Sequence, residues 1–222
     1  MEIKKNRIMN NFYDKIKLFK LKLGNNSKYR RYLDAQLTRT KSKYAPSITN
    51  QREVGRKQYL VNTLSDLINF NELQSALVIG CRNAYELDLI ERKMIANVVG
   101  IDLLSRDKRV RVMDMHNLLF KDNAFDLIYC SHALEHAYNI DLVISEIIRV
   151  AIPKCTLLIE IPVNFAPNEF DIHDFGNCEE LLNKFNEHTD ILSVLLSEDI
   201  KQGWKNNFEG TDVARIVFTI SG

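Results

Sequence analysis

Apolar positions in the first seventy residues recur at helical spacing. Phe12, Ile16, Phe19 and Leu23 fall at i, i+4, i+7 and i+11, with Lys15, Lys17, Lys20 and Lys22 crowding the other faces; this predicts a basic amphipathic helix stopped by Gly24. A second helix is predicted from about Ser27 to Thr40, aligning Tyr29, Leu33 and Leu37, before Ala45-Pro46-Ser47 breaks the pattern. A third, from about Asn50 to Phe70, has Leu60, Leu64, Leu67 and Ile68 as its inner stripe. The texture then changes to short apolar runs alternating with helical patterns, as in a parallel sheet with crossover helices. Strands are predicted at Ser75–Gly80, Asn97–Asp102, Arg109–Met113, Phe125–Cys130 and Thr156–Ile161, with helices at about Ala84–Met94 and Asp141–Val150. A last helix, Cys178–Phe185, precedes two more strands, Ile191–Leu196 and Val213–Ile220. The pattern is that of an α/β domain over residues 71–222, preceded by a helical extension over residues 1–70. One link is short: six residues, Leu103 to Lys108, join the second and third strands, where a parallel crossover usually needs about a dozen.

With 222 residues, 45% apolar and 27% charged, the chain has the balance of a folded, water-soluble protein. Its net charge of +1 hides an uneven distribution: residues 1–60 carry 16 Lys/Arg against 4 Asp/Glu, whereas residues 61–222 carry 14 against 25. A basic extension thus precedes an acidic domain. Cys81, Cys130, Cys155 and Cys178 form no C-x-x-C pair, so reduced thiols are expected. No long apolar run follows the basic N-terminus, and neither a signal peptide nor a membrane span is read; a cytoplasmic location is the expectation. The basic helices suit self-association, contact with their own acidic domain or a peripheral membrane surface. Nucleic acid is not expected, because the basic stretch lacks interleaved aromatic residues or an RNA-binding module.

The first strand runs into Gly80-Cys81-Arg82-Asn83-Ala84-Tyr85-Glu86, and the second ends at Asp102. Strand, turn, helix, strand, acid is a nucleoside-binding layout, in which the carboxylate accepts from both ribose hydroxyls. Only Gly80 survives of a G-x-G-x-x-G loop, and Glu86 and Asp88 put negative charge where a pyrophosphate would need a bare helix start. S-adenosylmethionine, which has no phosphate and carries sulfonium and ammonium charges, suits that loop better than a dinucleotide. The same residues also read as an ordinary helix start, with Asn83 as N-cap and Glu86 closing a capping box. Further on, His132-Ala133-Leu134-Glu135-His136 fits an inverted zinc-protease motif, although it hangs from a strand end rather than lying in a helix. Histidine is the side chain best suited to take a proton near neutral pH, which makes His132 the first candidate base, with His136 and His173 behind it.

The run from Asp114 through Leu118, Phe120, Asp122, Phe125-Asp126 and Leu134-Glu135-His136 to Glu146-Ile147-Ile148-Arg149-Val150 resembles the class I S-adenosylmethionine-dependent methyltransferases of the small-molecule type. The resemblance covers about Leu77 to Pro162. It implies a Rossmann-like sheet, mostly parallel with the last strand antiparallel. It also implies that Gly80, Cys81, Arg82 and Asn83 hold the methionine moiety of the cofactor, and that Asp102, followed by Leu103, holds the ribose. Asp114 would accept from the adenine amino group, with Met115 and His116 beside it, and Ser131 would lie near the methionyl end. The family has an acid where this chain has Val78 and glycines where it has Arg82 and Ala84, so Glu86 is a candidate substitute for the missing acid. The expected activity is methyl transfer from S-adenosylmethionine, leaving S-adenosylhomocysteine, to an oxygen of a small-molecule acceptor such as a sugar or another secondary metabolite. Residues 163–175, rich in aromatic and polar side chains, suit an acceptor-binding loop. The competing readings are a non-catalytic module that keeps the fold, and an RNA methyltransferase.

Overall fold

Alternate side chains of the central strands are buried on opposite faces of one sheet, and different helices cover the two faces. The computed structural model describes residues 27–42, 51–82, 84–93, 97–105, 107–205 and 210–222. The helix expected at Phe12–Leu23 lies outside these. Two helices, α1 (Ser27–Ser42) and α2 (Gln51–Leu67), precede β1 (Ser75–Ile79), α3 (Tyr85–Glu91), β2 (Asn97–Asp102), β3 (Val110–Val112) and β4 (Phe125–Ser131). A short 3-10 turn, Leu134–His136, leads to α4 (Ile140–Val150), β5 (Ala151–Val163), α5 (Cys178–Asn186), β6 (Ile191–Lys205) and β7 (Gly210–Ile220).

The seven strands lie in the order β3-β2-β1-β4-β5-β7-β6. Strands β1 to β5 pair in parallel and β7 runs antiparallel to both of its neighbours. This is the mostly parallel sheet with an antiparallel strand near its end that the sequence leads one to expect. Leu77 and Ile79, Ile128 and Cys130, Leu157 and Ile159, and Ile216 and Phe218 face α4 and α5. Ala76 and Val78, Leu127 and Tyr129, Leu158 and Val217 face α2 and α3. Because both faces are covered, these strands read as near-continuous apolar runs rather than as an alternation.

The short link after β2 is a turn with no crossover helix among its described residues. The register explains why this suffices: β3 has three residues, pairing from Gly100↔Val110 to Asp102↔Val112, so the chain backs up by only two residues before running forward again. Seven residues can span roughly 23 Å, well beyond that return. At β5 the pairing expected from Thr156 is present, but the strand starts earlier. Ala151 pairs with Phe125 across a bulge, and Lys154 sits at φ +67°. Strand β6 runs on to Lys205 with three register shifts; as the outermost strand it exposes Leu192, Val194 and Leu195, so burial imposes no clean pattern there. No helix among the described residues is long and apolar enough to cross a membrane.

Helix α1 sits apart from both faces. Its Tyr29, Tyr32, Leu33 and Leu37 are buried against Leu103, Leu104, Val112, Tyr138 and Ile172, all at or beyond the carboxyl ends of the strands. It is therefore a roof over the end of the sheet where open α/β folds keep their ligand crevice.

Candidate functional site

A cleft opens beneath α1, its enclosed space about 80 Å³, which is narrower than a preformed small-molecule site usually is. Its floor is made by strand tips. Gly80 ends β1 at φ +78°, and a Cβ there would stand 2.8 Å from the Ala133 Cβ; the bare backbone is what lets the β1 turn pass under the loop after β4. Gly80, Arg82, Asp102 and Leu103 line one side, Asp114 and Met115 the next, and His132 and His136 the far wall. Tyr32, Gln36, Arg39 and Thr40 of α1 close the top.

Asp102 ties its own surroundings together. Its Oδ2 accepts the Arg82 amide at 2.9 Å and its Oδ1 the Leu104 amide at 3.2 Å, so the loops after β1 and β2 hang on one carboxylate. Each oxygen keeps a lone-pair direction for a further donor. Burial raises the Asp102 pKa, against the pull of those amides. Burial also disfavours ionised Asp114, but the hydrogen bonds from His116 and the hydroxyl of Tyr29 outweigh it and hold this carboxyl below its ordinary value. The tautomer of His116 follows from its partners. Nε2 accepts from the amides of Tyr138 at 3.0 Å and Asn139 at 3.2 Å, so the proton sits on Nδ1 and is donated to Asp114 Oδ1 at 2.6 Å. Tyr29 donates to the other oxygen, Oδ2, from inside a cluster with Tyr32, Tyr138 and His116. Burial first, then the charge of Asp114, pushes the Tyr29 phenol up, so it remains a donor.

Four of the residues picked out in the sequence stand behind the cleft wall rather than on it. Cys81 is buried, with Sγ 3.6 Å from the Ile101 carbonyl, and His116 acts on Asp114 from behind. Glu86 forms an ion pair with Lys57 of α2 at 2.8 Å, both side chains being less than a tenth exposed. Ser131 Oγ accepts from Arg56 at 3.0 Å. Asn83 lies outside the described residues. The expected Asn83–Glu86 cap is not what starts α3: the N-cap is Ala84 at φ +59°, with no side-chain cap, and Glu86 is turned to Lys57.

A row of polar residues crosses the sheet at the far wall. Ser131 of β4 is in register with Glu160 of β5, Glu160 with Arg215 of β7, and Arg215 with Glu198 of β6. Arg215 grips Glu160 Oε2 twice, at 2.9 Å through Nε and 2.6 Å through Nη2, and reaches Glu198 at 3.0 Å. From α2, Arg56 donates to Glu160 Oε1 at 2.6 Å, and Tyr59 lays its ring 4.8 Å from the Arg215 guanidinium. Glu160 is fully buried. Burial opposes its charge, yet His132, Arg56 and Arg215 together hold its pKa well below the usual carboxylate range.

His132 follows directly, at φ +52°, its amide bound to the Glu160 carbonyl at 2.7 Å. Its Nε2 faces Glu160 Oε1 at 3.3 Å and its Nδ1 faces Glu135 Oε1 at 3.8 Å. Burial, reinforced by Arg56, lowers its pKa. The sign of the linked stability follows: the unfolded chain binds the proton more tightly, so the contribution of neutral His132 is whole above pH ~6.5 and is lost as pH falls below it. Thermal unfolding should therefore show a fall in Tm from pH 7.5 to pH 5.5 that is smaller in His132→Gln; equal slopes would contradict a buried neutral imidazole.

His136 presents Nδ1 to the Phe170 carbonyl at 3.1 Å and Asp171 at 3.0 Å, and Nε2 to Glu135 Oε1 at 3.7 Å. Glu135, His136 and Asp171 offer atoms within 4.8 Å of one another. The zinc-protease geometry is not formed: Leu134–His136 is a single 3-10 turn and His132 precedes it with its ring turned to Glu160, so the histidines do not share a helical face. Helix α1 closes over this corner, with Gln36 donating to the Phe170 carbonyl at 2.8 Å and Arg39 pairing with Asp171 at 2.6 Å.

Sequence reasoning passed over Glu160, Arg215, Arg56, Lys57 and Tyr29. Two of them carried a signal: a lone acid in Leu157-Leu158-Ile159-Glu160-Ile161 and a lone base in Val213-Ala214-Arg215-Ile216-Val217 are charges inside apolar strands, which demand buried partners.

Residues 77–159 match the model of a methyltransferase domain. No curated protein matches the chain at a significant level. Among solved structures, a S-adenosylmethionine-dependent methyltransferase from Aquifex aeolicus superposes with a TM-score of 0.55 at 14% identity, covering 82% of this chain and 97% of that one. The [4+2]-cyclase SpnF gives 0.57 at 18% identity, over 73% of this chain and 80% of that one. The phosphoethanolamine N-methyltransferase 2 of Haemonchus contortus, solved with S-adenosyl-L-methionine, gives 0.57 at 14% identity, over 73% of this chain and 52% of that one. At such identities these likenesses speak to the fold, and the cyclase shows that this fold also hosts other chemistry. The family match, the strand order and the motif run through residues 114–150 agree: residues 77–159 match a methyltransferase domain, and the sheet around them has the fold of the S-adenosylmethionine-dependent methyltransferases.

Proposed function

We propose that this chain transfers a methyl group from S-adenosylmethionine to an oxygen of a small-molecule acceptor, a sugar or a related secondary metabolite. The observation that carries the reading is the pair of carboxylates, Asp102 and Asp114, held at the ends of β2 and β3 and facing one cleft. Asp102 would hold the ribose hydroxyls and Asp114 the adenine amino group, while the turn at Gly80 and Arg82 would receive the methionine portion. The residues fit such a group: Asp102 keeps a lone-pair direction on each oxygen, Asp114 keeps one on Oδ2, which takes only Tyr29 while Oδ1 takes two bonds from His116, and the bare Gly80 leaves room beside the loop after β4. When bound, the cofactor supplies an electrophilic methyl carbon on a sulfonium. The chain's part is then to align the acceptor, exclude water beneath α1 and remove a proton. His132 and His136 stand on the wall where that proton would leave. Four free, buried cysteines suit a reducing, cytoplasmic setting.

A non-catalytic module is the second reading, favoured by Arg82 in place of a loop glycine and by Tyr29 already bonded to Asp114. The test is transfer of labelled methyl from S-adenosylmethionine to a panel of sugars and hydroxylated metabolites. Label in an ether linkage supports the proposal; cofactor binding without transfer to any hydroxyl, or transfer only to nitrogen, overturns the acceptor assignment.

A further inference from the structure

We infer that Glu160 is a positioning residue that fixes the tautomer of His132, keeping the proton on Nε2 and leaving Nδ1 as the basic atom on the cleft wall. This rests on the methyl-transfer reading for its purpose, though not for its geometry.

The argument is one of donors and acceptors. Glu160 is clasped by guanidinium groups from two directions, Arg215 on Oε2 and Arg56 on Oε1, and a carboxylate so held can only accept. Both ring nitrogens of His132 face a carboxylate, and Nε2 is the nearer, 3.3 Å from Glu160 Oε1 against 3.8 Å from Nδ1 to Glu135 Oε1, so the ring proton is assigned to Nε2. The backbone reinforces the aim, because the His132 amide is bonded to the carbonyl of the same Glu160, so one residue of β5 fixes both the peptide and the ring. Among the described residues, the charged and polar groups facing the ring are Glu160 from β5, Arg56 from α2 and Glu135 from the turn that follows. An imidazole oriented by a buried carboxylate on one nitrogen, with the other nitrogen basic, is the arrangement that serves general-base catalysis.

In the reaction, the O–H bond of the acceptor breaks and an N–H bond forms at Nδ1, while the oxygen keeps the electron pair with which it bonds the methyl carbon. The resulting imidazolium lies between two carboxylates, Glu160 and Glu135. The onward path for the proton is Glu135 Oε1 to His136 Nε2, 3.7 Å away, and His136 is 23% exposed at the cleft rim. Proton balance is complete, with one released to solvent per methyl transferred.

The decisive experiment is long-range proton–nitrogen correlation NMR on the 15N-histidine-labelled full chain, with His132 assigned by the signals lost in His132→Gln. The expected wild-type pattern is a protonated Nε2 and an unprotonated Nδ1 at pH 7.5. In Glu160→Gln, Arg215 retains the amide oxygen and the amide nitrogen takes the place of Oε1, so Arg56 must withdraw to Ser131 Oγ and the amide N–H turns to His132 Nε2; the pattern should then invert to Nδ1–H, while Glu160→Asp should keep the wild-type form. A wild-type spectrum with the proton on Nδ1 overturns the inference without need of any variant, as does a folded Glu160→Gln with an unchanged tautomer. Titration with S-adenosylhomocysteine on the same sample tests the methyltransferase reading separately, since the tautomer does not depend on bound cofactor.

Discussion

Asp102→Ala is expected to weaken S-adenosylhomocysteine binding by roughly 100-fold or more, because two hydrogen bonds to a charged acceptor at about 1.5–3 kcal/mol each are lost. A second effect adds to this. The amides of Arg82 and Leu104 lose their shared acceptor, so the loops after β1 and β2 are no longer tied at the place where the ligand must sit. Asp102→Asn separates the two contributions: it keeps one acceptor oxygen and should lose less affinity than the alanine variant. Calorimetry measures both variants, with circular dichroism showing that the fold is kept. If the alanine variant binds within threefold of wild type, the nucleoside does not sit on this carboxylate.

The largest effect on stability is expected at the other wall. Arg215→Leu leaves Glu160 fully buried with only Arg56 and His132 to balance it. Breaking one partner out of a buried ionic cluster costs about 3–5 kcal/mol, which for a chain of this size is a fall in Tm of roughly 6–20 °C. Adding Glu160→Gln should recover part of that loss, since the uncompensated charge is removed along with its partner. Glu198→Gln should be nearly silent, because its side chain is 38% exposed and water can replace the guanidinium. An Arg215→Leu protein with wild-type Tm would mean that water or a rearranged Arg56 reaches Glu160.

The sheet was legible in the sequence because its burial is two-sided. A run such as Leu77-Val78-Ile79 or Leu157-Leu158-Ile159 can only be a central strand, and Gly80 and Asp102 mark where two of the strands end. The β2–β3 link looked too short because strand length, which decides how far the chain must return, is not written in its composition; a three-residue β3 removes the difficulty. The outer end of β6 was hidden for the opposite reason, since an edge strand is free to carry polar and apolar residues in any order. The cleft residues were found where a motif spaces them along the chain: Asp102 ends a strand, and Gly80, Asp114 and His132 each follow one. What the sequence concealed is everything that reaches the site from elsewhere. Tyr29 meets Asp114 across 85 positions, Arg56 meets Glu160 across 104 and Arg215 meets it across 55. Nothing local forecasts such pairings. The sequence tells only that a charge inside an apolar strand must have a partner, not which one.

The central claim is that Asp102 and Asp114 frame an adenosine site that still works despite its single loop glycine. Calorimetric titration of the full-length chain with S-adenosylhomocysteine is the direct measurement. The account predicts one site per chain with micromolar affinity, and tighter binding of S-adenosylhomocysteine than of adenosine alone. Absence of binding at millimolar ligand would contradict it and leave a methyltransferase fold without its cofactor.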